Sequence, residues 1–348
     1  MALDEASSYE SRTIPQVKNT TIMIEKLLRV AIEFEVLLVI LGWNEMVNKD
    51  ATGSLQQTLA GCIERAGTTL HSGEISNVKL WPELAGRGRY FDFRSNSIPA
   101  SIDFTEESPL CTTLCKNGFR IRTVEHLLSA LEATGVDNCR IEIQNLDPDD
   151  RDVEVPILDG SANEWVKEIE QIGVEVATDQ FGNSCEKMAP YVNEPVHVWR
   201  NDSFVAAIPS EKIHITYGID FPQVPAIGCQ WFSSVSLDQS FYCEQIASAR
   251  TFCVYEEVEQ MRNAGLIKGG SVENAIVCRL QSSVPSKATM VKFLFASKDW
   301  LNPPLRFPDE PCRHKVLDLI GDLSLLAQFG SQGLPVAHIV AYKACILC

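Results

Sequence analysis

The chain has 348 residues, enough for two domains of ordinary size, and its 45% hydrophobic and 22% charged residues are typical of a globular protein. Its 46 acidic and 30 basic residues give a net charge of −16, which argues against a protein that mainly binds nucleic acid, because neutralising phosphates needs a basic surface. The 12 cysteines are scattered rather than spaced as in metal fingers or disulfide frameworks, so we interpret most of them as reduced and buried.

The first 54 residues differ from the rest of the chain. Residues 1–20 are polar and contain acids, whereas an organelle transit peptide is poor in acids. The apolar stretch Ile22–Trp43 follows, interrupted by Glu33 and Glu35. Because an acid at a bilayer centre costs about 2.5–3.5 kcal/mol, we predict no transmembrane span here. We expect instead a helix that packs on this chain or on a partner protein.

From Leu55 onward, short strands alternate with helices. Apolar residues at helical spacing predict a helix over Thr123–Ala133, with Thr123 suited to cap its start and Gly135 its end. The other elements predicted in this half are strands over Ile98–Phe104 and Val136–Ile143 and a helix that follows Asp159-Gly160-Ser161 and runs through Gln171.

Residues 182–189 resemble a linker, and a second set of elements follows it. The predicted strands are His197–Val205, Lys212–Asp220, Gln230–Phe232 and Val336–Tyr342, and the predicted helices are Glu244–Ser248, Val254–Asn263 and His314–Gln328. Both halves contain a helix with a histidine near its start, then a glycine-containing turn, then a strand. This parallel favours two α+β domains, at 55–181 and 190–348, over one large sheet.

Three polar residues lie along one side of the last predicted helix. His314, Asp318 and Asp322 are spaced four residues apart and therefore form one stripe. A histidine and an aspartate four residues apart can bind one zinc ion. The alternative is a solvated helix face that carries a His–Asp pair, and the spacing alone leaves both interpretations open.

The earlier helix offers a third ligand and a base. Glu125 and His126 lie in its first turn. Two histidines, one aspartate and an open position are typical of a catalytic zinc site, in which a glutamate can take a proton from the bound water. Alternatively, Glu125 only interacts favourably with the helix dipole. The sequence leaves this choice open as well.

Several motifs in order resemble the UDP-3-O-acyl-N-acetylglucosamine deacetylases of lipid A synthesis, most closely the plant branch of that family. The resemblance covers about Gln56 to Lys343 and rests on Leu70-His71-Ser72-Gly73, Leu110-Cys111-Thr112, the segment Ile121–Glu132, the segment Val155–Ala162, Ala249-Arg250-Thr251-Phe252, Gly269-Gly270-Ser271 and the segment Cys312–Leu323. It implies two α+β domains of similar topology, each a small sheet packed with helices, with the active site between them. The implied reaction is zinc-dependent removal of the N-acetyl group from an acylated UDP-glucosamine.

The resemblance also assigns roles to single residues. His126, His314 and Asp318 match the zinc ligands, and Glu125 matches the general base. Thr251 matches the residue that steadies the oxyanion, and Asp322 matches the carboxylate that orients a histidine acting as general acid. The remaining matches are expected to bind substrate: His71, Cys111, Phe252 and Lys315.

The sequence departs from the family pattern after Tyr342-Lys343-Ala344. The family continues into Gly-His-Ala-Leu and a final helix, whereas here Cys345-Ile346-Leu347-Cys348 follows, so that Ile346 stands in place of the general-acid histidine. Since an amine leaves poorly unless it is protonated, we expect a loss of about 10²–10⁴-fold in rate. The competing hypothesis is an inactive family member that binds zinc, substrate or a partner protein.

Two further features bear on the setting of the protein. The segment Arg279–Lys298 is longer and more basic than the corresponding family loop, and residues 1–54 have no counterpart in the family. The plant-like motifs imply a mitochondrial protein, although the acidic N-terminus does not resemble a transit peptide.

Overall fold

The computed structural model of the protein describes residues 48–108, 110–144, 150–279, 300–302 and 304–343. The predicted helix over Ile22–Trp43, all but the first residue of the Arg279–Lys298 insertion, and Cys345–Cys348 lie outside these ranges. Among the helices that the ranges contain, none combines the length and the hydropathy that crossing a membrane requires.

The described part of the chain is mixed α+β. Its helices are α1 (Glu125–Ala133), α2 (Asn163–Ile172), α3 (Gln239–Gln245), α4 (Tyr255–Asn263) and α5 (Glu310–Leu323). The strands of the first half are β1 (Asn48–Leu55), β2 (Gln57–Leu59), β3 (Ile63–Thr68), β4 (Ile75–Pro82), β5 (Arg89–Phe93), β6 (Asn96–Pro99), β7 (Thr105–Glu106), β8 (Thr113–Lys116), β9 (Phe119–Arg122), β10 (Cys139–Gln144), β11 (Asp152–Glu154) and β12 (Val174–Val176). Those of the second half are β13 (Glu186–Tyr191), β14 (Val196–Arg200), β15 (Ser203–Pro209), β16 (His214–Phe221), β17 (Gly228–Ser233), β18 (Phe252–Val254), β19 (Ile276–Cys278) and β20 (Ala337–Tyr342).

The two halves contain sheets with the same topology. The first sheet has the order β3-β4-β10-β5-β6, and the second has the order β14-β15-β20-β16-β17. In each, the strand that comes last in the chain occupies the middle, parallel to one neighbour and antiparallel to the other. The expectation of two α+β units of similar topology is confirmed.

Each half adds smaller elements to its main sheet. The first half has a four-stranded sheet, β11-β9-β8-β7, and the second has the parallel pair β18-β19 with α4 between the two strands in the chain. Strand β1 pairs with β13, so residues 48–54 of the predicted extension contact the start of the second half. Strand β13 begins at Glu186, inside the predicted linker 182–189, and the domain boundaries stay predictions.

Alternating burial explains how the main sheets form. Along β4 and β20 every second residue is buried, which is the pattern of a strand that packs one face on a core. Helices α1 and α5 cover that core, and Leu127, Leu128 and Ile320 are among their fully buried apolar residues. Helix α5 packs directly on α1, so both helices lie at the junction of the two halves.

Several predicted elements need correction. The predicted strand Ile98–Phe104 is the end of β6 followed by a short 3₁₀-helix over Ile102–Phe104, which Ser101 caps. The predicted strand His197–Val205 is the hairpin β14-β15, because the chain turns at Asn201, which has φ +50°. The predicted helix Glu244–Ser248 is α3, which begins at Gln239 where Asp238 accepts a hydrogen bond from the Phe241 amide.

Candidate active site

Helices α1 and α5 bring three potential metal ligands together. His126 lies in the first turn of α1, while His314 and Asp318 lie one turn apart on α5. The Asp318 Oδ1 atom is 3.4 Å from His126 Nε2 and 3.3 Å from His314 Nε2. All three side chains are buried, and their ligand atoms lie within 4.8 Å of one another. The predicted stripe of α5 is therefore buried against α1 rather than solvated.

The donor set fits a divalent cation such as zinc. The Asp318 Oδ1 atom is buried without a hydrogen-bond partner, whereas Oδ2 accepts a hydrogen bond of 3.1 Å from Lys315 Nζ. The Nδ1–H group of His314 donates to the Ala249 carbonyl at 3.0 Å, which leaves Nε2 as the lone-pair atom. Two ligands of a tetrahedral zinc, each about 2.0–2.1 Å from the ion, lie about 3.4 Å apart. A cation would therefore satisfy an otherwise orphaned carboxylate oxygen.

Burial sets the charge state of this cluster. It lowers the pKa of His314 to about 4, so the imidazole is neutral and able to coordinate a metal at neutral pH. Burial alone would raise the pKa of Asp318, but His314 and Lys315 outweigh it and hold that pKa well below its usual range. A neutral imidazole and an ionised carboxylate are the forms that bind a metal ion.

Two further buried carboxylates lie beside the three ligands, and Thr112 connects them. The Thr112 backbone amide donates to Glu125 Oε2 at 3.0 Å, and its hydroxyl donates to Asp322 Oδ1 at 2.6 Å. Burial, helped by the neighbouring Cys111 and Asp318, raises the pKa of Glu125 well above its usual value. Burial and Asp318 raise the pKa of Asp322 to about 7. A carboxyl group tuned upward in this way can exchange protons near neutral pH.

No side chain caps the start of helix α1, and the residue that precedes its N-cap has a strained backbone. Thr123 has φ +58°, a conformation that is unusual for a β-branched residue. Its hydroxyl donates to Glu154 Oε1 at 2.8 Å and does not cap the helix, so the predicted capping role of Thr123 is wrong. The predicted stop is confirmed, since Gly135 follows the helix with φ +78°. Thr123 thus lies in a strained conformation two residues before Glu125, the first residue of the helix.

Helix α5 approaches α1 closely because it carries glycine at the contact. A Cβ atom placed on Gly321 would lie 2.1 Å from the Glu125 carbonyl oxygen. Only a residue without a side chain fits here, and the contact holds Glu125 and His126 against the turn of α5 that carries Asp318 and Asp322.

Lys315 and Phe252, both expected to bind substrate, lie near this cluster. The Lys315 Nζ atom contacts Asp318 and is 5.7 Å from the centre of the Phe252 ring, which also packs edge-on against Phe221. Thr251 connects the same region to the first half, because its amide donates to the Gly160 carbonyl at 2.7 Å. The oxyanion role predicted for Thr251 and the roles of Lys315 and Phe252 stay predictions.

The other two expected substrate residues form a group of their own. The His71 Nδ1 atom is 2.8 Å from Glu154 Oε1, and its Nε2 atom is 4.0 Å from Cys111 Sγ. Glu154 also accepts hydrogen bonds from the Leu70 and His71 amides. His71 and Glu154 line a cavity of about 350 Å³. This group joins the cluster on α1 and α5 through Cys111, which immediately precedes Thr112.

Reasoning from the sequence missed Thr112, Thr123 and Glu154 as parts of the site. Thr112 falls within the motif Leu110-Cys111-Thr112, where the predicted role went to the cysteine. Glu154 immediately precedes the segment Val155–Ala162 and is buried with its charge. No spacing rule connects Thr112 to Asp322, or Glu154 to His71 and Thr123. These partners are far apart in the chain and meet only in the fold.

Comparison with known proteins agrees with this geometry. The family model for UDP-3-O-acyl N-acetylglycosamine deacetylase matches residues 56–345. The chain belongs to this deacetylase family. The match contains all the ligand, carboxylate and substrate residues predicted above. Ile346, which stands in place of the general-acid histidine, lies just beyond the match and outside the described residues.

Plant and cyanobacterial members of the deacetylase family are similar to most of the chain. It is 61% identical over 298 residues to an Arabidopsis thaliana protein named probable UDP-3-O-acyl-N-acetylglucosamine deacetylase 1, mitochondrial. The aligned region covers 86% of each chain. It is 44% identical to the UDP-3-O-acyl-N-acetylglucosamine deacetylase of Trichormus variabilis, over 83% of this chain and 93% of that one. The names of the Arabidopsis relatives confirm the mitochondrial prediction.

Proposed function

We propose that the protein hydrolyses the N-acetyl group of a UDP-3-O-acyl-N-acetylglucosamine and that zinc is its cofactor. The observation that carries this proposal is the buried Asp318 Oδ1 atom, which faces two imidazole Nε2 atoms and has no hydrogen-bond partner. The similarity to named deacetylases supplies the substrate class. His126, His314 and Asp318 would hold the zinc ion, which would lower the pKa of a water to about 7 and polarise an amide carbonyl.

The residues around the ligands have distinct tasks in this proposal. Glu125 takes a proton from the attacking water, and burial raises its pKa, which makes its carboxylate a stronger base than an exposed one. The Thr112 amide fixes its carboxylate by a hydrogen bond of 3.0 Å. Lys315 holds the second oxygen of Asp318 and leaves the first oxygen for the metal.

Substrate groups would be held on two sides of the cluster. Phe252 and Lys315 lie on the side formed by the second half, where Thr251 is expected to steady the oxyanion of the tetrahedral intermediate. His71 and Cys111 lie on the side formed by the first half. A substrate bound at the cluster would therefore contact both halves.

Replacing Glu125 by glutamine tests the proposed function. The amide keeps the size and the hydrogen bond from Thr112 but cannot take a proton, so acetate release should fall by about 10²–10⁴-fold while the zinc content stays the same. Zinc is measured by atomic absorption, and acetate is measured on a UDP-3-O-acyl-N-acetylglucosamine. The exposed Glu175→Gln serves as the control. Unchanged acetate release by Glu125→Gln would contradict the role of Glu125, and a chain that binds no zinc would contradict the site.

We further propose that the reaction of this chain is slow because Ile346 stands where the family pattern has its general-acid histidine. An isoleucine cannot protonate the leaving amine. The variant Ile346→His should raise acetate release by about 10-fold or more, and Glu125→Gln should abolish that gain. A full rate in the natural chain, with no gain from Ile346→His, would show that another group is the acid.

A further inference from the structure

We propose that Cys111, with His71 and Glu154, is a peroxide-reactive thiol site. Glu154, His71 and Cys111 form a chain of contacts in which the carboxylate holds one imidazole nitrogen and the other nitrogen faces the sulfur, at 2.8 Å and 4.0 Å. This is the arrangement in which a histidine takes the proton of a thiol and a carboxylate orients the histidine. The site is a place of covalent modification and does not depend on the hydrolysis proposed above.

The surroundings of the sulfur stabilise a negative charge. Besides His71, the hydroxyls of Ser108 and Thr113 lie 3.6 Å from Cys111 Sγ. Burial would raise the pKa of the Cys111 thiol, but His71 outweighs it and the pKa lies below the ordinary value. Burial would likewise lower the pKa of His71, but Cys111 and Glu154 outweigh it and raise that pKa to about 10. The contacts of the sulfur therefore favour a thiolate beside a protonated His71.

Other buried cysteines of the described chain lack such partners. Burial raises the pKa of Cys139 and of Cys312 to about 12, so both thiols stay protonated. Cys62 is exposed, yet desolvation and the nearby Glu64 raise its pKa as well. Reaction with an oxidant needs the thiolate, so Cys111 should react first despite its burial.

The low exposure of the Cys111 sulfur favours small reagents. Cys111 is only 1% exposed, while its neighbour Leu110 lines the cavity of about 350 Å³ together with His71 and Glu154. Hydrogen peroxide is far smaller than a bulky alkylating reagent, so the burial of the sulfur hinders it less. Peroxide is therefore the class of reagent that the site admits.

The chemical step balances with the groups present. The Cys111 thiolate attacks one oxygen of hydrogen peroxide, an S–O bond forms, and the O–O bond breaks. The departing hydroxide takes the proton of the His71 imidazolium and leaves as water. Sulfur loses two electrons and becomes a sulfenic acid, and the peroxide gains them.

The test follows the oxidation of each cysteine in the folded full-length chain. The protein is treated with hydrogen peroxide for increasing times, and the reaction is stopped with catalase. The protein is then unfolded in the presence of dimedone, which traps sulfenic acids, and labelled peptides are quantified by mass spectrometry. We expect the Cys111 peptide to be labelled at least ten times faster than the peptides of Cys62 and Cys139. Labelling of Cys62 while Cys111 stays reduced would overturn the proposal.

Variants show whether His71 and Glu154 activate the thiol. Glu154→Gln and His71→Gln should each slow the labelling of Cys111 at least tenfold, whereas Glu142→Gln, on strand β10 of the main sheet, should not change it. Glu154 also accepts hydrogen bonds from Thr123 and the Leu70 amide, so its replacement can prevent folding. In that case the labelling rates of the different cysteines in the unaltered chain test the proposal. A Cys111 rate that is equal in all folded variants would show that the triad has no such role.

Discussion

Thr112 ties together the two buried carboxylates that flank the metal ligands. It uses its amide for Glu125 and its hydroxyl for Asp322, so one residue sets the positions of groups on both α1 and α5. Hydrogen bonds to charged groups are stronger than neutral ones, and a buried acceptor that loses its donor keeps the full cost of its desolvation. A threonine between two acids is thus a structural part of the site.

We expect Thr112→Val to lower the free energy of unfolding by about 1–3 kcal/mol, because Asp322 loses its donor while Glu125 keeps the backbone amide. Urea unfolding of the metal-free chain measures this change. The matched control is Thr216→Val, whose hydroxyl lies at a partly exposed position on β16. Equal losses in the two variants would show that the Asp322 contact contributes nothing particular.

Asp137 makes folding stability depend on pH. Burial is the main cause that raises its pKa to about 6, against the opposing effect of Lys187, whose Nζ lies 2.8 Å away. Since the folded chain holds this proton more tightly than the unfolded chain, the contribution of Asp137 to stability is complete at low pH. It is lost as the pH rises through about 6.

Between about pH 4 and pH 7, the stability of the natural chain relative to Asp137→Asn should therefore fall by about 2 kcal/mol. Asparagine keeps an acceptor for the Gln57 amide but does not titrate in this range. Chemical unfolding at several pH values measures the difference, with the exposed Asp50→Asn as the control. A difference that stays constant over this range would contradict the assignment to Asp137.

The sequence predicted the residues whose partners are close in the chain. The spacing of His314 and Asp318 placed them on one face of a helix, as found in α5. It could not decide whether that face was solvated, because the answer depends on α1, far away in the chain. The capping role predicted for Thr123 failed because Glu154 provides a better partner for its hydroxyl and holds it at positive φ.

At the scale of elements, the contact between α1 and α5 defines the site. Gly321 allows the two helices to touch at Glu125, and the His126 and His314 rings meet edge-on with their centres 4.9 Å apart. The distance between the ligands thus depends on helix packing more than on any loop. Rigid elements hold a metal geometry better than loops do.

The variant Gly321→Ala tests this dependence. Its Cβ would lie 2.1 Å from the Glu125 carbonyl oxygen, so the helices must separate and the affinity for zinc should fall at least tenfold. Titration with a competing zinc chelator measures the affinity. Gly86→Ala is the control, because its Cβ enters open space and only the left-handed backbone costs about 1–2 kcal/mol. Unchanged zinc affinity in Gly321→Ala would contradict a packing-dependent site.

At the scale of the whole molecule, the proposed ligands come from both halves. His126 belongs to the first half, and His314 and Asp318 belong to the second. A cation bound by all three would therefore link the halves and stabilise the folded chain by mass action.

Removing zinc with a chelator should lower the free energy of unfolding by about 3–4 kcal/mol, the value expected when free zinc exceeds its Kd by a few hundredfold to a thousandfold. The variant His126→Ala should lose this response although two ligands remain in the other half. Thermal unfolding with and without chelator measures both effects. Identical melting temperatures with and without zinc would contradict a metal link between the halves.

The shared topology has a consequence for synthesis on the ribosome. The middle strand of each main sheet is made last. The chain between the preceding strand and this middle strand is short in the first sheet, from Pro99 to Cys139, and much longer in the second, from Ser233 to Ala337. Until β20 emerges, β14-β15 and β16-β17 are separate hairpins with open edges at β15 and β16. The nascent second half therefore exposes two unpaired strand edges over a longer stretch of synthesis than the first half, and α5 is made only after both hairpins.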